Sequence, residues 1–375
     1  MPAPTLAQDL DARTAPGTLF APRPDHAVTC VACGHRCLIR PGRRGICQVR
    51  YNAAGVLRVP WGYVGALQCD PTEKKPFFHL LPGSDTLTFG MLGCDLHCPN
   101  CQNWVNSQAL RDPASELAGA HPQAVTPQQL VALAVREGAQ VIGSSYNEPL
   151  ISSEWAAAVF AEAAPAGLRC AFISNGNATP EVLAYLRPHL SAYKVDLKTM
   201  SDRNYRRLGA VLANVLDSLQ RLHALGLWVE VVTLVIPGFN DSDAELREAA
   251  QFIAALSPDI PWHVTAFHPD YKMTAPAPTT ARRLRQAAEI GRAAGLRYVY
   301  AGNLPGQVGD LEHTLCPGCG ARLIERHGYI IHRYRLTAVG ACPECGTRIA
   351  GLWTNRPETV RLLGPGRPRR TAEDR

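Results

Sequence analysis

Three cysteines in one short segment give the first indication of chemistry. Cys94, Cys98 and Cys101 lie in "GCDLHCPNCQNW" with the spacing C-x3-C-x2-C. Thiolates bind zinc and iron–sulfur clusters, and both kinds of site usually take four protein ligands. A cluster held by three cysteines would leave one iron free for a substrate or cofactor. The spacing alone also allows a zinc site completed by His97, or three unrelated core cysteines.

Polar residues stand at the ends of a series of predicted strands. Short β-branched and apolar runs alternate with helical patterns, which predicts an α/β fold with a parallel sheet, open or curled into a barrel. The predicted strands span 86–92, 140–146, 169–174, 192–197, 228–236, 262–268 and 296–301. The residues at or just after strand ends are Cys94, Glu148, Asn175, Asp196, Lys198 and His268. Because carboxyl ends of parallel strands form the active face, we expect these residues to meet there.

The helical patterns between these strands have recognisable ends. Thr126 and Ser242 are predicted N-caps, and Gly138 and Gly226 are predicted stops. The helices are predicted at 126–138, 152–164, 213–226 and 243–256.

A second group of cysteines lies near the carboxyl end of the chain. Two C-x2-C pairs, "CPGCG" and "CPECG", are separated by about twenty residues, which is the spacing of a zinc ribbon. The segment between them predicts two strands around "RHG". The predicted zinc ligands are Cys316, Cys319, Cys342 and Cys345. Knuckles without metal are the alternative.

A third group lies near the start of the chain and is harder to assign. Its members are Cys30, Cys33, Cys37 and Cys47. Their C-x2-C-x3-C start is not the bacterial ferredoxin run, and His35 is a further candidate ligand. Zinc, a second iron–sulfur cluster and plain buried thiols stay open, and we favour zinc because the basic run "RPGRRG" suggests a surface knuckle. Cys69 and Cys170 stand alone, and a lone cysteine is most often a small buried apolar residue.

Composition narrows the cellular setting. The chain has 375 residues, 46% of them apolar and 19% charged, and a formal net charge of +6. That excess lies partly in the carboxyl-terminal tail, so we expect no nucleic-acid partner. No signal peptide is visible and the longest apolar stretch is too short to span a bilayer, so we expect a cytoplasmic protein with no membrane association. Cytosolic thiols stay reduced, which favours metal ligation over disulfides for the cysteines.

Ordered motifs along the chain carry a family resemblance. The blocks are "CDLHCPNCQNW", "DPTEKKPFFHLLPGS", "SYNEP", "ISNGNATPE", "KVDLKTM", "LVIPGFND", "WHVTAFHPDYKM" and "YVYAGNLPG". Together with both flanking cysteine blocks they resemble the radical SAM enzyme of the AmmeMemoRadiSam system, which is related to pyruvate formate-lyase activating enzymes. The resemblance covers the chain except about its first 25 and last 20 residues.

The resemblance implies a fold, two cofactors and an activity. The fold would be a partial (β/α) barrel of the radical SAM type at 81–305, with an N-terminal cysteine-rich segment at 1–80, a zinc-ribbon-like module at 306–360 and a flexible tail at 361–375. The triplet would hold a [4Fe-4S] cluster that reductively cleaves S-adenosylmethionine. The resulting 5′-deoxyadenosyl radical would abstract hydrogen from a protein substrate, as activating enzymes do. Flavodoxin or ferredoxin would supply the low-potential electron.

The same resemblance assigns roles to the strand-end residues. Glu148 would face the methionine ammonium of the cofactor, and Asp196 and Lys198 would contact its ribose and carboxylate. Asn175 and His268 are weaker members of this set. Each has a simpler interpretation: Glu148 as a helix-start carboxylate, Asp196 and Lys198 as a solvated pair at the rim, and His268 as a core histidine.

Two departures from the family pattern stand out. Asn100 replaces the aromatic residue that usually stacks on adenine. Tyr146 and Asn147 replace the usual Gly-Gly before the glutamate. The adenine contact and the backbone contact to the ammonium therefore have to come from other groups in this chain.

Two other functions stay open at this stage. One is a zinc-ribbon adaptor that binds protein or nucleic acid and carries a catalytically dead barrel. The other is a radical SAM enzyme that acts on a small molecule. Iron content separates the adaptor from both enzymes.

Overall fold

The structure is a computed structural model that describes residues 4–362. Most of the predicted tail at 361–375 therefore lies outside the described residues. Among those residues, no helix is both long and apolar enough to cross a membrane.

The first part of the chain forms small antiparallel sheets. After helix α1 (Leu6–Ala12), the strands are β1 (Thr14–Pro16), β2 (Phe20–Pro22), β3 (Val28–Cys30), β4 (Leu38–Ile39), β5 (Tyr51–Ala53), β6 (Val56–Pro60) and β7 (Tyr63–Val64). They pair in the orders β1-β6-β5 and β2-β3-β4. Val28, Leu57 and Val59 are fully buried, which fits these short sheets against the rest of the protein.

The middle of the chain alternates strands and helices. The strands are β8 (Ala66–Pro71), β9 (Asp85–Gly90), β10 (Gln123–Ala124), β11 (Val141–Ser144), β12 (Arg169–Ser174), β13 (Ala192–Asp196), β14 (Trp228–Val235), β15 (Trp262–Ala266) and β16 (Val299–Gly302). The helices are α2 (Trp104–Ser107), α3 (Pro113–Leu117), α4 (Pro127–Arg136), α5 (Ser153–Ala163), α6 (Pro180–Leu186), α7 (Asp202–Leu208), α8 (Leu212–Ala224), α9 (Asp243–Leu256) and α10 (Ala281–Ala293). Short 3-10 turns occur at Thr72–Lys74, Pro149–Ser152, Gly309–Glu312 and Pro357–Thr359.

Eight strands form one large, mostly parallel sheet. Its order is β16-β15-β14-β13-β12-β11-β9-β8, and every pair is parallel except β8 with β9. Strands β8 and β16 are its edges, so the sheet is open rather than a closed barrel. Because β8 lies at Ala66–Pro71, the sheet starts before residue 81. β7 and β10 pair separately with each other.

Local sequence explains where the helices between these strands begin and end. Thr126 accepts a hydrogen bond from the Gln129 backbone amide, and the Gln129 side chain caps the Thr126 amide in return. Ser242 caps α9 in the same position. Gly138 and Gly226 follow α4 and α8 at φ of 68° and 69°, a left-handed conformation that glycine adopts readily.

One face of the sheet packs on helices and the other carries buried polar groups. Phe160 of α5 packs against Phe172 of β12, which contacts Tyr193 of β13. On the opposite face Glu230 is fully buried, and its carboxylate accepts hydrogen bonds from the amides of Phe78 and His79. The segment after β8 is therefore fixed against the inner side of the sheet.

The last part of the chain forms a small three-stranded sheet. Its strands are β17 (Thr314–Leu315), β18 (Arg322–His327) and β19 (Ile330–Tyr334), in that order. The turn at "RHG" joins β18 to β19, as the sequence predicts. This module packs on edge strand β16, where the Tyr300 and Thr314 hydroxyls are 2.9 Å apart, and on the segment after β8. Arg326 is buried, donates to the Phe78 carbonyl and lies 4.3 Å above the Phe78 ring.

Candidate active site

The cysteine triplet lies in the loop that follows β9. Cys94, Cys98 and Cys101 line one cavity of about 150 Å³. Burial raises the pKa of all three thiols, that of Cys98 to about 11. Metal binding displaces such protons, because the thiolate is the form that ligates.

The strand ends bring four of the five other predicted residues to this cavity. Glu148, Asn175, Asp196 and Lys198 line it together with the triplet. They follow or close β11, β12 and β13, three neighbouring parallel strands. Their meeting is thus a consequence of parallel strand order, which places successive carboxyl ends side by side.

Glu148 is buried and tightly held. One carboxylate oxygen accepts from the Leu150 amide at 3.1 Å and the Ser174 hydroxyl at 2.6 Å, and the other accepts from the Asn175 amide at 2.7 Å. Burial, and then the charge of Asp95, raise the pKa of Glu148 to about 8. The contact to Leu150 means that Glu148 also caps a helical turn, so the simpler interpretation describes part of its role.

Asp196 lies between two lysines. Its carboxylate accepts from Lys194, and its second oxygen lies 3.5 Å from the Lys198 ammonium. Burial alone would raise the pKa of Asp196, but the charges of Lys194 and Lys198 lower it. Asp196 and Lys198 therefore both stay ionised at the wall of the cavity, where their charges can face polar parts of a ligand.

His268 lies apart from this group. It is exposed, and its Nε2 is 2.7 Å from the amide nitrogen of Gln102, the residue after Cys101. β15 ends at Ala266, and buried Phe267 separates it from the histidine. Among the described residues, His268 lines a separate and larger cavity instead, so its predicted place in the cofactor set is not supported by this geometry.

That larger cavity, of about 700 Å³, lies at the opening of the sheet. Edge strand β8 contributes Asp70 and Pro71 to it, and the opposite edge β16 contributes Ala301 and Gly302. The turn between β18 and β19, at 327–329, forms a further wall. The C-terminal module thus borders the space beside the triplet.

Sequence reasoning missed Asp95, which directly follows Cys94. Asp95 is fully buried and accepts hydrogen bonds from the side-chain amides of Asn175 and Asn177 at 2.7 and 2.8 Å. Asn175 therefore orients Asp95 as well as lining the cavity. The available signal was the position of Asp95 inside the cysteine motif, directly after Cys94.

Tyr146 and Asn147 have structural roles where the family pattern has two glycines. Tyr146 has φ of 70°, and its hydroxyl accepts a hydrogen bond from the Lys75 ammonium at 3.0 Å. The Asn147 side chain accepts from the Met91 amide at 3.0 Å. A Cβ on Gly90 would lie 2.4 Å from the Ser145 carbonyl. Gly90, at the end of β9, is therefore the glycine that lets the backbone at Ser145 come close to β9.

The C-terminal cysteines form a compact group that could hold one metal ion. All four Sγ atoms lie within 4.8 Å of one another, with Cys316 to Cys345 at 3.5 Å and Cys319 to Cys342 at 3.7 Å. Four thiolates around one tetrahedral zinc stand about 3.8 Å apart, given Zn–S bonds of about 2.3 Å. Gly320 and Gly346 follow the second cysteine of each pair at positive φ, as a knuckle requires.

The other two cysteine sets are more open. Within residues 4–362, no three thiols of the triplet or of the N-terminal set gather as closely as the C-terminal four. Zinc at the N-terminal set, which the sequence favoured, therefore stays a prediction.

Comparison with known proteins agrees with this site. The model of the radical SAM superfamily matches residues 89–253, which include the triplet and all four strand-end residues of the cavity. The chain belongs to the radical SAM superfamily. Membership implies a [4Fe-4S] cluster and S-adenosylmethionine as cofactors, and three thiols with adjacent charged groups fit them.

Individual relatives extend the match over most of the chain. An uncharacterised protein of Methanocaldococcus jannaschii is 36% identical over 328 residues, covering 87% of this chain and 96% of the relative. The isethionate sulfite-lyase activating enzyme of Desulfovibrio desulfuricans is 29% identical over 127 residues, covering 33% of this chain and 40% of that protein.

Two solved structures are also similar. A domain of a pyruvate-formate lyase-activating enzyme from Bacteroides vulgatus has a TM-score of 0.38 and 19% identity, with 44% of this chain and 99% of that chain covered. A radical SAM methyltransferase from Sphaerobacter thermophilus has a TM-score of 0.45 and 18% identity, with 60% and 68% covered.

Proposed function

We propose that the protein is a radical SAM oxidoreductase of the activating-enzyme kind, which abstracts hydrogen from a protein substrate. The observation that carries the proposal is the convergence of Cys94, Cys98 and Cys101 with Glu148 and the Asp196–Lys198 pair in one cavity. When bound, the [4Fe-4S] cluster and S-adenosylmethionine supply reductive cleavage of the sulfonium, giving methionine and the 5′-deoxyadenosyl radical.

The residues of the chain bind and orient these groups. Cys94, Cys98 and Cys101 would hold the cluster by three thiolates, one fewer than its four irons, which would leave a place for the cofactor. Glu148 accepts a hydrogen bond from the cofactor amino group, and the donors already fixed on Glu148 hold its carboxylate in place. Asp196 and Lys198 bind the ribose and the carboxylate side.

The large cavity at the sheet opening supports a site for the substrate. Gln102 directly follows Cys101 and lines this cavity, so a group placed there lies beside the triplet. Exposed Tyr329 lies in the wall that the C-terminal module supplies. We propose that a loop of a partner protein enters here, since the Desulfovibrio relative is named as an enzyme that activates another enzyme, isethionate sulfite-lyase.

The volume of the same cavity also favours a second candidate. About 700 Å³ lies within the range of small-molecule sites, which is roughly 300–1,000 Å³. A radical SAM enzyme acting on a small molecule is therefore the alternative.

Deuterium transfer decides between the two substrates. The enzyme is turned over anaerobically with deuterated candidate partner protein, and 5′-deoxyadenosine is examined for the label. Label from the protein supports the proposal. Label that arrives only from a deuterated small-molecule extract establishes the alternative.

The electron and the second metal complete the proposal. We propose a flavodoxin or ferredoxin as the low-potential donor, because Arg40, Arg43 and Leu38 are exposed around the N-terminal cysteines and suit an acidic carrier.

We propose zinc at the C-terminal thiols, where it stabilises the module bordering the large cavity. An adaptor with a dead barrel would carry zinc and no iron.

A further inference from the structure

The N-terminal cysteines are largely buried and lie close enough to one another for the charge of Cys30 to act on Cys33, Cys37 and Cys47. Cys30, Cys33 and Cys47 are 4 to 6% exposed, and Cys37 is partly exposed. The Sγ of Cys37 accepts a hydrogen bond from the Ile46 amide at 3.5 Å, a contact common around metal-bound sulfur. Four thiols from one short segment thus face a common region, although they are not packed together as the C-terminal four are.

Their spacing distinguishes one ion from several. Thiolates that share one tetrahedral ion stand about 3.8 Å apart, and the same chain meets that distance at Cys319 and Cys342. No three of the N-terminal thiols lie within 4.8 Å of one another among the described residues. Thiolates on different irons of a cluster stand farther apart, and four cysteines are the usual number for such a cluster.

A buried cation beside these thiols gives a second, independent observation. Arg50 is 1% exposed, and its Nε is buried without a hydrogen-bond partner among the described residues. Arg50 is close enough to Cys30 and Cys47 for its charge to act on both thiols. An unpaired buried N–H is costly, so a sulfur acceptor next to it would satisfy a real deficit.

Hydrogen bonds join the N-terminal segment to the loop that carries Cys94, Cys98 and Cys101. Arg111 donates to the carbonyl of Leu96, between Cys94 and Cys98, and also to the carbonyl of Ile46, which precedes Cys47. His35 Nε2 lies 3.1 Å from the Asp95 carbonyl.

The same two segments also meet closely at Gly93. A Cβ on Gly93 would lie 3.0 Å from the Cys47 carbonyl, so a side chain there would press the two segments apart. The two cysteine sets therefore sit on backbone segments in direct contact.

We propose that Cys30, Cys33, Cys37 and Cys47 hold a second iron–sulfur cluster, seated against the loop of the first. The proposal replaces zinc at this set and does not depend on cleavage of S-adenosylmethionine. It predicts two independent populations of iron in one chain, beside a single zinc at the C-terminal thiols.

The first experiment removes the triplet from the full chain. Anaerobically reconstituted Cys94→Ala/Cys98→Ala/Cys101→Ala is assayed for iron, sulfide and zinc and by electron paramagnetic resonance after reduction. We expect roughly a third to a half of the wild-type iron and sulfide to remain, depending on whether the second cluster has two or four irons. We also expect a signal that S-adenosylmethionine does not alter, and one zinc.

The second experiment is the reciprocal variant, which covers the case of poor folding in the first. Cys33→Ser/Cys47→Ser should lose the complementary iron and keep a signal that S-adenosylmethionine alters. Cys170→Ala, which removes a buried cysteine outside all three sets, is the control with wild-type metal content. One zinc per chain reports that the C-terminal module is folded in each variant.

Three results would overturn the proposal. An iron-free triplet variant with two zinc ions would show a zinc knuckle at the N-terminal set. An iron-free triplet variant with one zinc would show plain thiols. Wild-type iron in Cys33→Ser/Cys47→Ser would show that these residues hold none.

Discussion

Arg50 and Glu154 form a two-point ion pair inside the protein, with nitrogen–oxygen distances of 2.7 and 2.8 Å. Both side chains are less than 5% exposed. Glu154 also accepts from the amide of Leu19 at 3.2 Å, so one carboxylate on α5 anchors two points of the N-terminal segment. The segment that carries the first four cysteines is therefore fixed to the large sheet through a buried charge pair.

Removing Arg50 should destabilise the protein strongly. Arg50→Ala leaves the Glu154 charge buried without its partner, which we expect to cost about 3–5 kcal/mol in the free energy of unfolding. Arg36 and Glu181 provide the control, because they form a similar two-point pair at 2.8 and 2.6 Å but are 44% exposed. Arg36→Ala should cost less than about 1 kcal/mol. Equal losses in urea unfolding would contradict the special role of the buried pair.

Glu148 should make stability depend on pH in a direction opposite to most carboxylates. Its pKa is raised to about 8 in the folded protein, so between the unfolded pKa and 8 the native state binds the extra proton. Stability from this group is present at low pH and lost as pH rises through 8. We therefore expect cofactor-free Glu148→Gln to gain stability relative to wild type between pH 5.5 and 8.5.

Glu181→Gln is the control for this pH series. The hydrogen bond from Arg36 lowers the pKa of Glu181, so both its folded and unfolded pKa values lie below the tested range. Its difference from wild type should stay constant from pH 5.5 to 8.5. A constant difference for Glu148→Gln as well would show that Glu148 is ionised in the native protein throughout.

The backbone at Tyr146 should favour glycine over alanine. At φ of 70° a Cβ is strained by about 1–2 kcal/mol, whereas glycine is not. Tyr146→Gly and Tyr146→Ala both lose the contact with Lys75, so their difference isolates the backbone, and we expect the glycine variant to be more stable by about 1 kcal/mol. Ala158→Gly in α5 should show the reverse sign and lose about 1 kcal/mol. The same sign at both positions would refute a left-handed Tyr146.

The C-terminal thiols should bind zinc that stabilises the fold. Cys319→Ser removes one of four ligands, so we expect loss of zinc and a lower melting temperature. Arg326 of this module contacts Phe78, which lies outside it, so we expect loss of the zinc to destabilise more than the module alone. Cys69→Ser, outside all three cysteine sets, should keep its zinc. Unchanged zinc in Cys319→Ser would rule out the ribbon.

The positions of the central strands and their parallel pairing were the part of the fold that sequence predicted best. The pattern of β12 gave its bounds of 169–174, and parallel order then predicted that Glu148, Asn175 and Asp196 would share an edge, as they do. The antiparallel edge strand β8 was missed, because its residues at 66–71 mix apolar and polar types without clear alternation. Its pairing with β9 depends on tertiary contacts that a local pattern does not contain.

Side-chain direction was the part of the site that sequence could not supply. His268 follows a strand as Glu148 does, yet its side chain is exposed and lines a different cavity. Asp95 enters the site because of partners distant in sequence, Asn175 and Asn177. The spacing of Cys30, Cys33, Cys37 and Cys47 likewise depends on how their segment folds against the triplet loop.

Formation of 5′-deoxyadenosine tests the central claim most directly. Anaerobic, iron-replete protein is incubated with S-adenosylmethionine and a strong one-electron reductant, and 5′-deoxyadenosine and methionine are quantified. We predict both products from wild type and from Cys170→Ala, and neither above background from Cys98→Ala, which removes one of three ligands of the cluster. Iron-replete wild type that yields no 5′-deoxyadenosine, or Cys98→Ala that yields as much as wild type, would contradict the account.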